Sequence, residues 1–435
     1  MKTSAAPVDL TVAAWPGLEA RLLRGDLETA AEDVAAYVAG GGYQLLQAPD
    51  ALLEQIDLAG LVGRGGAAFP MAVKLRTVRD NGRPAGGAVA VANGEEGEPA
   101  SVKDRWLLRH RPHLVLDGLR LAARIVGAER TYLYVSDPQA AEVVRVALSE
   151  AHEQLDGLSV TVITVDAGYV AGEESAAVRA INGGPAKPTD KPPRTFEQGV
   201  AGLPTVVSNV ETLGNLPHLL RHGSQDYRSV GTSTSPGTFL ATVTGGGRPA
   251  ALYELPYGTP FADLLDLYGV PGDSVRGVLM GGYFAGLMNS EVLDTTLDHE
   301  TMRRLGSGLG CGAVALITEE CPIAVAAAVM AYFDRENAGQ CGSCFNGTAA
   351  MAAVACALRD GAATAEDLTR LERWSVVLRG RGACATLDAA TNVAATLLRS
   401  FPQEVARHLD GTCSACAAMT YSAIRPYEVE AVMTR

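Results

Sequence analysis

Apolar and polar positions along this chain change period several times, and the changes divide it into parts. The first forty residues read as a helical lead-in, from Leu18, Leu22 and Leu23 through an Ala-rich stretch to a glycine break at 40–42. From there to about residue 225, β-rich runs alternate with helical spacing. Residues 88–92 are a short apolar run before a polar loop. Pro112 opens a helix, a position that suits proline. Residues 131–135 (TYLYV) and 159–165 (SVTVITV) read as strands, with helical spacing over 140–155 between them. This order predicts a largely parallel sheet covered by helices.

The pattern then shifts. Residues 237–293 combine short strands with one helix, in the manner of a small β-grasp unit. Beyond Cys311 the spacing is helical over 322–335, 343–358, 365–378 and 389–398, and four helices with short joints suggest a small bundle. No internal repeat interrupts this progression.

A chain of 435 residues is long enough for two or three domains. Its net charge of −13 and the lack of a basic stripe argue against a nucleic-acid partner. No apolar run approaches the roughly 20 residues that span a bilayer. The opening MKTSAAPVDLTVAAW lacks the apolar core and cleavage pattern of a secretory signal, so a cytoplasmic protein is expected. All eight cysteines fall after residue 310. That confinement favours metal ligation or redox chemistry near the C-terminus over a disulfide framework.

Four segments carry candidate chemistry. Residues 63–70 (GRGGAAFP), followed by Lys74, let backbone N–H groups approach a phosphate or a flat ring, and Gly63, Gly65 and Ala68 formally match G-x-G-x-x-A. Taken alone this is a common glycine-rich turn, with no clear strand before it. Residues 93–99 (NGEEGEP) follow the apolar run at 88–92, at a strand end where α/β sheets bind ligands. The three carboxylates suit a metal or sugar hydroxyls, and equally a solvated acidic turn. Residues 169–175 (YVAGEES) repeat the arrangement of a glycine and two acids at a strand-to-helix joint. Lys187 to Pro193 reads as a rigid linker, whereas Asn209 and Thr212, three apart, present polar groups from the start of a helix.

In order and spacing these segments resemble the FMN- and NADH-binding chain of respiratory complex I and its relatives in NAD-linked hydrogenases and formate dehydrogenases. That family's GLRGRGGAGFPTGLKW corresponds here to GLVGRGGAAFPMAVKL, and its NADESEPGTFKDR to NGEEGEPASVKDR. Its AYICGEETAL corresponds to GYVAGEESAA, and its TVNNVETL to VVSNVETL. The likeness spans roughly residues 36–412. It implies an α/β Rossmann-like FMN- and NADH-binding domain over 1–235, a soluble-ligand-binding β-grasp (SLBB) domain over 236–308, and a helical bundle with an Fe–S-type cysteine site over 309–435.

The resemblance also implies residue roles. Gly63, Arg64, Gly65, Gly66 and Lys74 would hold FMN, with Asn93, Glu95, Glu96, Ser208, Asn209 and Thr212. Tyr169, Gly172, Glu173 and Glu174 would line the same cleft. NADH would lie over the flavin against Gly66, Ala67, Phe69, Glu98, Glu174 and Lys191, with Glu98 and Glu174 as the candidate catalytic residues. The implied activity is that of an NADH dehydrogenase: hydride passes from NADH to FMN, and electrons leave for an Fe–S cluster, a ferredoxin or another Fe–S subunit of a hetero-complex peripheral to a membrane. A cluster-free reductase acting on a small molecule and a non-catalytic scaffold are the competing readings.

Two departures from the family stand out. Arg194 and Thr77 replace aromatic residues at the adenine end, and Arg194 with Arg76 admits NADPH as an alternative donor. The family's S-C-G-x-C-x-P-C-R reads here N-A-G-Q-C-G-S-C-F, so that Cys341, Cys344 and Cys384 match cluster ligands while Ala338 replaces the first. A cubane cluster normally takes four thiolates. Cys413 or Cys416, a C-x-x-C pair, would be a substitute ligand, or would bind zinc or exchange thiols. Cys311, Cys321 and Cys356 read as ordinary buried thiols.

Overall fold

The computed structural model describes residues 10–24, 31–411, 413–418, 421 and 423–429. The N-terminal segment is not the expected helix. It is a strand, β1 (Thr11–Ala14), followed by bends, although part of the Ala-rich stretch lies outside the described residues. A buried carboxylate explains the difference. Glu254 accepts the backbone N–H groups of Arg21, Leu22 and Leu23 at 2.9–3.1 Å, which removes them from any helix. The first helices are α1 (Val34–Ala39) and α2 (Pro49–Ala59); α2 begins on a proline and stops at Gly60, whose φ of 70° suits glycine.

After α3 (Met71–Ala85) the chain enters a parallel sheet built from β2 (Ala88–Asn93), β3 (Ala128–Val135), β4 (Ser159–Thr164) and β5 (Thr205–Asn209). Between β2 and β3 run α4 (Lys103–His110) and α5 (Pro112–Val126); α6 (Pro138–Glu150) leads to β4 and α7 (Glu174–Ile181) to β5. The strand order is β4-β3-β2-β5, with every pairing parallel. The apolar 88–92 run is wholly buried, as expected of a central parallel strand. Pro112 opens α5, whose residues are all buried except Arg124.

The chain continues through α8 (Val210–Gly214) and α9 (Leu216–Tyr227) into β6 (Thr238–Gly245), β7 (Arg248–Pro256) and the two-residue β8 (Thr259–Pro260). Then come α10 (Phe261–Tyr268), β9 (Gly277–Met280), β10 (Leu287–Asn289), β11 (Thr296–Leu297), α11 (His299–Arg304) and β12 (Ala313–Ile317). A six-stranded mixed sheet orders β1-β7-β6-β12-β9-β10. The divisions expected at residues 235 and 308 are therefore crossed: the sheet takes β1 from the N-terminal segment and β12 from beyond residue 308. Six helices complete the described chain: α12 (Pro322–Glu336), α13 (Gly342–Arg359), α14 (Ala365–Val377), α15 (Thr386–Ser400), α16 (Pro402–Leu409) and α17 (Ser414–Ala418). The architecture is mixed α/β.

Candidate functional site

The sheet order locates a crevice. From β2 the chain winds outward through β3 and β4, then crosses back to place β5 on the other side of β2. Connections therefore change direction between β2 and β5, the point at which open α/β sheets bind ligands at their carboxyl ends. Asn93 and Asn209, the last residues of these two strands, are register partners. Asn93 Nδ2 donates to Gly172 O at 2.8 Å. Asn209 caps α8 by accepting from the N–H of Glu211, and its Nδ2 donates to Asp104 at 2.6 Å. Lys103 lies at 2.6 Å from Asp104 and 3.0 Å from Glu211. Burial opposes its charge, but these acids outweigh that and hold its ammonium pKa above the usual range.

The glycine loop closes over this edge. A bridge between Val62 and Pro70 pinches its base, and Gly63 N–H donates to Phe69 O at 2.9 Å. Gly66 has a φ of 115°, and a Cβ there would lie 2.8 Å from the Phe284 ring. A Cβ on Gly65 would touch that of Asn209 at 3.4 Å, and Arg64 N–H donates to Thr212 Oγ1 at 2.8 Å, so the loop lies across the start of α8. Ala67 and Ala68 lead to Phe69, which is half exposed. Lys74, on the first turn of α3, donates to Val207 O at 2.6 Å and pairs with Glu174 at 3.2 Å. Helix α2, not a strand, precedes the loop, so the formal G-x-G-x-x-A match is not a dinucleotide fingerprint.

Arg64 requires a correction as a ligand-binding side chain. Its guanidinium is buried and donates to the hydroxyls of Tyr257 and Tyr227 and to Thr238 O, with Glu211 at 3.8 Å. Only its backbone remains with the loop. The side chain is a scaffold between the two sheets.

Glu95 and Glu98 are buried and the Glu96 side chain is only 3% exposed, which rules out a solvated turn, and each acid has a different task. Glu96 accepts from the Ser101 hydroxyl at 2.6 Å and from the N–H groups of Asp104 and Arg105, so its carboxylate is engaged in holding the start of α4. Glu98 accepts from the N–H of Tyr283 at 3.0 Å, and burial pushes its pKa up to about 8. Glu95 has two long contacts, with Ser136 and with the Gly168 N–H, both at 3.4 Å. Its Oε2 is buried without a partner among the described residues, and burial raises its pKa to about 8.

The segment after β4 packs directly against these acids. A Cβ on Gly97 would lie 2.6 Å from Gly168 O, and one on Gly172 would lie 2.6 Å from Glu95 Oε2. Glu173 caps α7 through the Ser175 N–H at 2.8 Å and binds Lys191 at 2.5 Å. Tyr169 is edge-on to the rings of Tyr332 and Phe333, and burial lifts its hydroxyl pKa well above the ordinary range. Ser208 sits under the crevice with its hydroxyl 3.6 Å from Met71 Sδ. Val170 and Ala171 of this segment also wall a groove of ≈ 900 Å³ with Ser136, Gly168, Lys187 and Arg335, which no residue of the glycine loop lines.

Cys341, Cys344 and Cys384 line one small pocket with Ala338, Gly339, Gln340 and Pro188. Burial, then the sulfurs of Cys384 and Cys341, push the Cys344 thiol up to about 12. No fourth thiol lines the pocket among the described residues, because Ala338 occupies that place. The linker at 187–191, which sequence spacing marks only as rigid, joins the two sites. Lys187 donates to Ala338 O at 3.0 Å and Gln340 to Pro188 O at 2.7 Å, while Lys191 holds Glu173.

Cys413 and Cys416 do not supply the missing ligand. They gather instead with Cys321 and His408. Cys321 precedes α12 and Cys341 follows it, and a helix of 15 residues separates its ends by about 22 Å. Cys321 is buried, as expected, and lies 3.3 Å from His408 Nε2.

Comparison with known proteins agrees with this geometry. Residues 56–218 match the family described as the Nuo51 FMN-binding domain, and 324–408 match the NADH-ubiquinone oxidoreductase-F iron-sulfur binding region. The second of two NADH-quinone oxidoreductase F subunits of Rhizobium meliloti is 31% identical over 87% of this chain and 94% of its own length. The mitochondrial NADH dehydrogenase [ubiquinone] flavoprotein 1 of Dictyostelium discoideum is 32% identical over 82% of this chain and 78% of its own. Among solved structures, a chain of an NAD+-reducing [NiFe]-hydrogenase in the H2-reduced state superposes with a TM-score of 0.76 at 32% identity, covering 83% of this chain and 63% of that one. No described helix is long and apolar enough to cross a membrane.

Proposed function

Because this chain belongs to the Nuo51 family of NADH dehydrogenase flavoprotein subunits, we propose that it oxidises NADH at a bound FMN and delivers the electrons to an iron–sulfur acceptor. The observation that carries this reading is the crevice at the β2/β5 switch point, where the glycine loop lies across the start of α8 against Asn209 and Thr212, and Lys74 reaches Val207 O and Glu174. The donor set fits FMN. Backbone N–H groups of 65–68 and the Lys74 ammonium suit a phosphate, and Asn93, Glu95, Ser208, Asn209 and Thr212 offer partners for ribityl hydroxyls and ring edges. When bound, FMN supplies the conversion from a two-electron donor to one-electron acceptors.

The chain's own work is positioning and electrostatics. Gly66, packed under the Phe284 ring, and Ala67 would present backbone to the nicotinamide, and the half-exposed Phe69 offers a ring to the adenine end. Lys191 and Glu174 flank the same mouth. Burial keeps a proton on Glu95 and Glu98 near neutrality, so neither sets a negative charge beside an incoming anionic dinucleotide. Arg76, one of two cations that admit NADPH, pairs with Asp57 at 2.8 Å, which favours NADH.

Cys341, Cys344 and Cys384 would hold an iron–sulfur centre, and they fill three of the four ligand places of a cubane. A partner carrying its own Fe–S centre, as a ferredoxin or within a hetero-complex, completes the proposed route. Residues 236–308, with β12, would form an SLBB-type β-grasp unit, and 309–435 a helical bundle. A cluster-free reductase remains the second reading, resting on Ala338. Anaerobic titration of the purified chain tests the proposal: flavin absorbance should bleach with one equivalent of NADH and less readily with NADPH. A chain that retains no flavin, or whose flavin NADH leaves unbleached, refutes it.

A further inference from the structure

We propose that Cys321, His408, Cys413 and Cys416 bind a single zinc ion that staples the C-terminal tail to the start of α12 and to α16. These residues come from three separate places: the residue before α12, helix α16, and the tail around α17. Their four ligand atoms lie within 4.8 Å of one another. His408 Nε2 is 3.3 Å from Cys321 Sγ and 3.8 Å from Cys416 Sγ. Zn–S and Zn–N bonds of about 2.3 and 2.0–2.1 Å in a tetrahedron put neighbouring ligand atoms about 3.5–3.8 Å apart. The observed separations straddle that spacing, so the four groups need only small movements to close on an ion.

The surroundings are those of a built site. His408 is fully buried, and its Nδ1 lies 3.0 Å from Leu358 O. That carbonyl can only accept, so it fixes the proton on Nδ1 and leaves Nε2 free to ligate. Cys416 N–H points at Cys413 Sγ at 3.3 Å, a contact that supports a thiolate. Zinc binding would release the protons of the three thiols to solvent. A cubane cluster, by contrast, spreads its four ligands over four irons and holds them farther apart than the ligands of one ion. The set is also complete without any help from the Cys341 pocket.

The tail held by this site reaches the proposed flavin crevice. Arg335 donates to Ile424 O at 2.6 Å, and the Tyr283 hydroxyl donates to Pro426 O. Val429 N–H donates to Pro99 O at 2.9 Å, directly beside Glu98. Tyr283 also gives its N–H to Glu98, so the strap and the acid share a neighbour. A structural ion at 413–416 would thus hold the strap in place over this loop. It would carry no electrons, because zinc has no accessible redox change.

The test is metal analysis of the full chain purified without chelator. We expect one zinc per chain, retained in Cys384→Ser, lost in Cys416→Ser and kept in His408→Cys, which preserves four ligands. Treating the unmodified protein with a thiol-blocking mercurial should release the same equivalent of zinc into a colorimetric indicator, a reading independent of how the variants fold. Release should also expose the tail to limited proteolysis. A chain without zinc, iron that is lost with Cys416→Ser, or a Cys413–Cys416 disulfide found by mass would each overturn the proposal.

Discussion

Replacing Glu95 by Gln changes how the stability of the flavin-free chain responds to pH. Glu95 is 5% exposed, its two contacts are long, and one carboxyl oxygen has no partner, so burial dominates and lifts its pKa from 4.5 to about 8. Between those values the folded chain keeps a proton that the unfolded chain has lost. Stability therefore falls as pH rises through this window, by at most about 1.4 kcal/mol per pH unit for this group. Gln holds no such proton. Its amide nitrogen inherits the partnerless position and costs about 1–3 kcal/mol at every pH. That constant offset does not affect the slope. Urea unfolding of both proteins from about pH 5 to about pH 8 should show the Gln variant gaining on the parent by up to about 4 kcal/mol across the span. Parallel curves would refute the assignment of a neutral, buried Glu95. Glu98, displaced in the same direction, stays in both proteins and cancels.

Other outcomes follow from the same geometry. Gly97→Ala would drive a Cβ to within 2.6 Å of Gly168 O, forcing the 93–98 and 168–174 segments apart, and flavin content after gel filtration should fall at least about tenfold. Arg64→Met leaves two buried tyrosine hydroxyls and Thr238 O without their donor and weakens the neutralisation of Glu211. Loss of about 3–5 kcal/mol is expected by urea unfolding, with NADH oxidation per folded chain reduced less than stability. Cys384→Ser should lower bound iron, and Ala338→Cys should raise its retention under air by supplying a fourth thiolate, measured as iron per chain. Unchanged iron in both would remove that pocket from the electron path.

Much of this protein was determined by local pattern. The apolar run at 88–92, the proline at 112 and the four C-terminal helical stretches each mark an element that the structure contains, because burial period and backbone restriction act within a few residues. Resemblance brought the crevice loops together in name. Tertiary structure decided what the side chains do there. Parallel pairing sets Asn93 opposite Asn209, more than a hundred residues on, and burial turns an apparently solvated acidic run into three carboxyls with separate tasks. Glu254 draws the backbone of Leu22 and Leu23 away from the helix their spacing predicts, and Arg64 points into the interior rather than towards a ligand. Cys321 and Cys416 show the limit most plainly. Each looks ordinary along the chain, and they meet at His408 only because α12, α16 and the tail pack together. Sequence period reports which face of an element is buried; which distant elements share that burial is settled by packing.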